Sequence, residues 1–258
     1  MPPQLTERRR KEIASLNQRK YRERFGQMLI EGFRSVESAI QADAPLVEIL
    51  IAGPRYTDAR VRGVLDQAGV PVHVLTEREL AQLSDVETNQ GVIAVARIQL
   101  LPEDRLQSFR SILVLDAVQD PGNVGTIIRT AAWFGVDAIV AGPGTVDFFN
   151  PKVVRAAMGG LWDVHLSRVD DLSILLDRMA AAGFHRYGAD LEGTRLQSWF
   201  PEFPSVLILG SEAHGISPAV AGAVDDRITI PGNPRHRGAE SLNVAIAAGI
   251  LMQRWLGG

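Results

Sequence analysis

The sequence predicts an α/β protein in two domains, a smaller N-terminal one over residues 1–98 and a larger one over 111–258, joined by a linker at 99–110. Three observations carry this. Apolar strand-like runs alternate with amphipathic stretches along the whole chain. The segment 99–109 breaks that alternation with a proline, three charges and no periodicity. In the second half, three apolar runs pass directly into loops of glycine, proline and small polar residues.

In order, the first half reads as a helix over 7–16, a strand over 28–30, a helix over 34–42, a strand over 47–51, a helix over 58–68 and a strand over 70–75. Thr76 followed three residues later by Glu79 is a capping box opening a short helix. A strand over 92–96 completes a small α/β unit. The pattern restarts with a fully apolar run at 112–115, suited to a buried parallel strand, and a helix over 124–134. Strands over 138–140, near Val164, and over 185–189, 206–209 and 227–230 follow, with helices over 152–158 and 172–182 and a closing helix over 242–255. Trp133, Phe134 and Trp255 read as core or subunit-interface aromatics rather than base-stacking platforms, and Phe148 and Phe149 as buried packing.

A chain of 258 residues buries roughly 70 to 75% of its unfolded surface and needs no staples. It has no cysteine, which excludes disulfides and thiolate chemistry and fits a reducing compartment. No apolar run approaches the roughly 20 residues of a membrane span, and no apolar stretch follows the basic N-terminus as in a signal peptide, so a cytoplasmic location is expected. Residues 1–35 hold nine Lys/Arg against four Asp/Glu, leaving 18 against 26, or −8, for the rest. A basic arm on an acidic body, with Arg8, Arg9, Arg10, Arg19 and Lys20 its cations, fits an anionic partner such as RNA and equally a solvated helix face.

The three strand-to-loop segments carry the chemistry. They are Leu115 to Gly125, Leu209 to Gly215, and Ile230-Pro231-Gly232 together with Ser241-Leu242-Asn243. In open α/β sheets ligands bind outside the carboxyl ends of strands, so three such loops point to one composite pocket, and glycine lets backbone approach a ligand closely. There is no phosphate-binding G-x-x-x-x-G-K-[ST], and Gly142-Pro143-Gly144 lacks the third glycine of a dinucleotide turn. The five histidines are scattered and no H-E-x-x-H or G-x-S-x-G occurs, so no metal site and no serine-hydrolase elbow is expected.

Taken together, the segments Asp120-Pro121-Gly122-Asn123-Val124-Gly125-Thr126-Ile127-Ile128-Arg129, Leu209-Gly210-Ser211-Glu212-Ala213-His214-Gly215 and Glu240-Ser241-Leu242-Asn243 resemble, in order and character, the three motifs of the SpoU (TrmH-like) RNA ribose 2'-O-methyltransferases of the SPOUT superfamily. The resemblance covers about 111–258. The N-terminal half, with Gln18-Arg19-Lys20 and Leu29-Ile30-Glu31-Gly32, is similar to the L30e-like substrate-binding domain of rRNA-directed members.

This resemblance implies a deep trefoil knot near the C-terminus holding S-adenosylmethionine, a homodimer whose site can take residues from the partner, and an RNA substrate. Ribosomal RNA is the first expectation, with tRNA, or a non-catalytic role in ribosome assembly, as alternatives. It assigns cofactor binding to Leu209, Gly210, Ser211, Glu212, Gly215, Ile230, Pro231, Ser241, Leu242 and Asn243, and catalysis to Asn123, Arg129, Glu212, Ser241 and Asn243. Arginine is too basic to abstract a proton, so Arg129 is expected to bind the target phosphate and polarise the hydroxyl. Glu212 would orient substrate or Asn123, and Ser241 could cap the last helix. Two departures stand out: Ala213 where the second motif commonly has glycine, and the stretch 233–238. The latter holds Arg235 and Arg237 and is either a phosphate contact or a surface insertion.

Overall fold

A computed structural model describes residues 5–84, 90–233 and 240–257; Arg235 and Arg237 lie outside the described residues. The chain forms two compact units, Met1–Gln99 with Asp147–Trp162, and Leu100–Val146 with Asp163–Gly258.

The first unit is built on a mixed four-stranded sheet of β1 (Gln27–Glu31), β2 (Leu46–Ala52), β3 (Val72–Leu75) and β4 (Val92–Arg97), in the order β1-β4-β2-β3. Only the β2–β3 pair is parallel. Alternate residues Leu29, Leu50, Ala52, Ile93 and Val95 pack with Ile13 and Leu16 of the first helix into one core. The capping box forms as read: Thr76 Oγ1 accepts from the Glu79 amide and the Glu79 carboxylate accepts from the Thr76 amide.

The sequence reading lacks the helix Arg19–Phe25, whose run of charges carries almost no apolar period. It is anchored instead by a buried cation. Arg22 is 2% exposed and donates to the carbonyls of Leu16 and Asn17 and twice to Asp147 Oδ2, at 2.7 and 3.0 Å. Asp147 opens the segment 147–162, which joins this unit from far along the chain through its helix Pro151–Ala157 and an Arg155–Glu31 ion pair. Gly159, at φ +94°, sits where a Cβ would run into the Ser38 hydroxyl. Periodicity shows that Val153, Val154 and Ala157 are buried but not against what.

The second unit is an all-parallel six-stranded sheet of β5 (Ser111–Leu115), β6 (Ala138–Ala141), β7 (His165–Arg168), β8 (His185–Arg195), β9 (Ser205–Leu209) and β10 (Asp226–Thr229), in the order β10-β8-β9-β5-β6-β7. β5 and β9 lie inside and are buried along their whole length, which explains their unbroken apolar runs. Within the stretch read as a linker, Glu103–Ser108 forms a 3-10 helix, and Leu106 is fully buried in this unit's core. Phe148 and Phe149, which belong to the first unit, are buried, as is Trp255 in the second, whose Nε1 donates to Ser205 Oγ. Trp133 is not: it is 84% exposed. Three ends differ from the sequence reading. The helix read over 124–134 starts at Pro121. The closing helix starts at Val244, with Asn243 rather than Ser241 as its cap, and β8 runs on to Arg195.

Candidate active site

The middle of β8 and the carboxyl ends of β9 and β10 border a cavity of about 470 Å³. Its tightest wall is the loop after β9. Gly210 lies so close to the next strand of this loop that an added Cβ would collide with the Gly215 backbone. Ser211 and Gly215 exchange both backbone hydrogen bonds at 2.9 Å, and Gly215 takes φ +67°. These are positions only glycine fills without strain. The resulting hairpin presents Ser211 to His214 at the cavity, with Ser211 Oγ accepting from the His214 amide. Ala213 is not among the positive-φ residues, so alanine costs the loop nothing there.

A chain of three side chains runs along this loop. Asn123 stands in the first turn of the helix Pro121–Phe134, where Pro121 occupies an N-terminal position that needs no donor and Asp120 caps by accepting from the Asn123 amide at 2.8 Å. The Asn123 Nδ2 donates to Glu212 Oε1 at 2.7 Å, and its Oδ1 accepts from Asn243 Nδ2 at 2.9 Å. Asn243 in turn uses its Oδ1 to accept from the amides of Ala245 and Ile246. One residue thus both caps the closing helix and reaches the network. Its cap fixes which way the amide faces, which fixes Asn123, which holds the Glu212 carboxylate.

The cavity wall takes in Leu209, Gly210, Ser211, Glu212, Gly215, Ile230, Ser241 and Leu242 from the sequence-derived set, but not Pro231 or Asn243. Arg129 is exposed and is not on the wall of this cavity; on its helix it shares a face with Trp133, one turn further on. Neither Asn123 nor Arg129 is on the wall of this cavity, and six residues along a helix turn a side chain to another side. Sequence reading missed Ala189, Asp190 and Leu191, which β8 contributes to the wall, and Val244, Ala247 and Leu251 from the closing helix. The closing helix's apolar spacing was visible; nothing local marked the β8 residues.

In the first unit the basic set divides. Arg9 is held by Glu48, Glu12 and Gln27, and Arg10 by Glu79, so both serve the fold. Arg8 pairs with Glu12 and Arg19 with Glu23 at the surface, while Lys20 lies 5.7 Å from the Tyr21 ring centroid. The guanidiniums of Arg9 and Arg8 hold the Glu12 carboxyl below its ordinary value.

Comparison with known proteins agrees with this geometry. Residues 110–253 match the model of the SpoU rRNA Methylase family, and residues 8–94 match that of the MRM3-like substrate binding domain. The 23S rRNA (guanosine(2553)-2'-O)-methyltransferase RlmP of Bacillus subtilis is 35% identical over 243 residues, 94% of this chain and 93% of its own. Mitochondrial rRNA methyltransferase 3 of Mus musculus is 27% identical over 91% of this chain and 68% of its own. Among solved structures, the AdoMet-bound rRNA methyltransferase from Sinorhizobium meliloti superposes with a TM-score of 0.83 at 27% identity, covering 97% of this chain and 94% of its own. The SpoU methyltransferase AviRb from Streptomyces viridochromogenes, in complex with AdoMet, gives a TM-score of 0.84 at 26% identity over 96% and 97%. The ordered motifs, the family match over more than half its length and a relative aligned nearly end to end place one conclusion on firm ground: this chain belongs to the SpoU rRNA Methylase family.

Proposed function

We infer that this protein transfers a methyl group from S-adenosylmethionine to a ribose 2'-hydroxyl of ribosomal RNA, and that its second unit carries the family's trefoil knot. The observation that carries the reading is the Glu212–Asn123–Asn243 chain beside a cavity made of glycine-tight loop and apolar wall. The cavity suits the cofactor. Leu209, Ile230 and Leu251 offer a dry surface for a flat ring, and the absence of a side chain at Gly210 and Gly215 leaves main-chain groups accessible. When bound, S-adenosylmethionine supplies an electrophilic methyl group on sulfur. The work of this chain is placement: Glu212 and Asn243 fix the Asn123 amide, Ser211 and Ser241 bring hydroxyls to the cavity edge, and Arg129 binds the target phosphate and polarises the hydroxyl.

Arg129 does this from a neighbouring protomer. It shares its helix face with the exposed Trp133, and the closing helix, packed on the same helix, exposes Ile246, with Leu242 half exposed just before it. Apolar surface of that kind on two packed helices supports a homodimer in which each cavity is completed by the partner's Arg129. RNA is gripped in part by the surface cations Arg8, Arg19 and Lys20, with Arg235 and Arg237 the further candidates. No described helix is long and apolar enough to cross a membrane, and the cytoplasm is the proposed site of action.

The test is transfer of labelled methyl from S-adenosylmethionine to purified, unmodified rRNA and tRNA, with the modified ribose mapped by its resistance to alkaline cleavage. Label in rRNA is expected, and Arg129→Ala should lower the rate by at least about a hundredfold while leaving the melting temperature unchanged. Label in tRNA alone would move the substrate, and cofactor binding without any transfer would make the protein a non-catalytic RNA binder.

A further inference from the structure

We propose that the amino-terminal edge of the second unit's sheet is a further RNA-binding face, on which Phe200 stacks an unpaired base and Arg110 and Arg254 hold the flanking phosphates. The proposal rests on the reading of RNA as substrate. The face lies where β5, β8 and β9 begin, at the other end of the sheet from the cavity between β9 and β10, so it is separate from the place given to the cofactor. A single strand of nucleic acid asks two things of a surface, rings for its bases and cations for its phosphates. Both are interleaved here. The Phe109 ring lies 4.9 Å from that of His165 at the start of β7. Arg110 enters β5, its carbonyl accepting from the Ser205 amide at 2.9 Å, and Phe203 stands two residues before Ser205 at the start of β9.

Two arginines on this face are held by rings instead of carboxylates. The Arg110 guanidinium lies 4.2 Å from the Phe203 ring centroid and that of Arg254 lies 5.1 Å from the Phe200 centroid. Arg254 is fixed by donating from Nε to the Trp199 carbonyl at 2.9 Å. Its terminal nitrogens, and the whole Arg110 guanidinium, meet no acceptor among the described residues. By contrast Arg178, Arg186 and Arg227 of the same unit spend theirs on Glu103, Asp225 and Asp190. A guanidinium oriented on a ring with its donors open is arranged to take phosphate oxygens. Phe200 is 78% exposed, yet the turn that carries it is pinned on both sides. Before it, Trp199 is buried edge-on to Tyr187 at 5.0 Å; after it, the Tyr187 hydroxyl accepts from the Glu202 amide at 2.9 Å and Phe203 stacks on Trp255 at 6.2 Å. A fixed ring with most of its surface open is a stacking platform. Beside Phe203, a second cavity of about 340 Å³ reaches Phe184 and Arg186 and gives the strand's next base a recess. Of the carboxylates bordering that recess, Asp225 is engaged by Arg186, and Glu202 favours a base there over a phosphate.

The experiment is fluorescence anisotropy of a short fluorescein-labelled oligouridine titrated with the full chain over a range of salt concentrations. The proteins are the wild type, Phe200→Ala, Phe200→Trp and the double variant Arg110→Gln with Arg254→Gln, each with its oligomeric state measured by sedimentation. Phe200→Ala should weaken binding about tenfold with an unchanged salt slope, since stacking carries no counterions. The double variant should lower the slope of log affinity against log salt by about 1.4, the value for two phosphates on a single strand. Phe200→Trp should keep the affinity and show more quenching of its emission than the wild type when the oligouridine is added. In methyl transfer to rRNA, Phe200→Ala should raise KM for the RNA severalfold, leave kcat within about twofold and leave the affinity for S-adenosylmethionine unchanged. Wild-type affinity and salt slope in Phe200→Ala and the double variant would overturn this face, while methyl transfer to rRNA by the wild type would keep the substrate reading standing. A wild type that neither binds the oligouridine nor methylates rRNA would overturn the substrate reading and this face with it. A smaller oligomer in Phe200→Ala at unchanged RNA affinity would also overturn it, assigning the ring to contact with a second copy of the chain.

Discussion

Two chains of hydrogen-bonded side chains in this molecule use similar residues to opposite effect. In the first unit, Glu48 is 6% exposed and spends both carboxylate oxygens inside the fold, Oε1 on Arg9 and Oε2 on His73 at 3.2 Å. Arg9 goes on to Gln27. In the second unit, Glu212 is exposed and one oxygen holds Asn123; among the described residues the other has no partner. The first chain is closed and dry, so its energy goes into joining the first helix to β1, β2 and β3. The second is open at the edge of a cavity, so its order serves a ligand. Burial and unused hydrogen-bonding capacity, more than residue type, separate a structural network from a functional one.

The comparison breaks most clearly at Glu48. Glu48→Ala leaves Arg9 and His73 without their shared partner in a buried setting, and a loss of about 3 kcal/mol is expected in denaturant unfolding. A loss below about 1 kcal/mol would mean that the cluster is incidental to the fold. Next comes Asn243→Asp, which keeps the oxygen that accepts from Ala245 and Ile246 but removes the donor to Asn123. Its methyl-transfer rate should drop about a hundredfold through misplacement of the network, with stability held to within about 0.5 kcal/mol because the cap survives. A wild-type rate would remove the network from catalysis.

The smallest effect belongs to a pair in neither chain. A hydrogen bond from the Arg186 guanidinium, helped by the Arg186 amide, holds the Asp225 carboxyl below its ordinary value, against a partial opposing effect of burial. A lowered carboxylate pKa adds stability that is present above the unfolded value and is lost as pH falls through the folded one. Asp225→Asn should therefore cost under about 1 kcal/mol at neutral pH, the pair being partly exposed, and the gap from wild type should close on acidification below the ordinary aspartate range. A gap that stays constant with pH would assign the effect to packing instead.

Much of the site was legible because its residues announce themselves locally. Gly210 and Gly215 answer to a backbone path that excludes side chains, whereas the helix read from 124 begins at Pro121 and places Asn123 in its first turn. The interior strands β5 and β9 show as unbroken apolar runs. Where the reading slipped, two residues competed for one local role. Ser241 and Asn243 are both good caps, and the structure uses Asn243 because its amide can also donate to Asn123. At the other end, a strand expected to stop at 189 continues because β10 resumes pairing with it at Thr194, beyond a shift in register.

By itself the sequence determined the α/β alternation, the glycine-made loops, the caps and the ordered motifs, all of which depend on residues within a turn or a strand of one another. Only the tertiary structure decided that Arg22 anchors Asp147, that 147–162 packs with the first unit, that β8 supplies a wall of the cavity, and that Arg129 stands off the cavity of its own chain. The physical reason is separation along the chain. Period, propensity and capping act between near neighbours, whereas which distant groups meet is set by how the sheets stack their helices, and no local pattern records it.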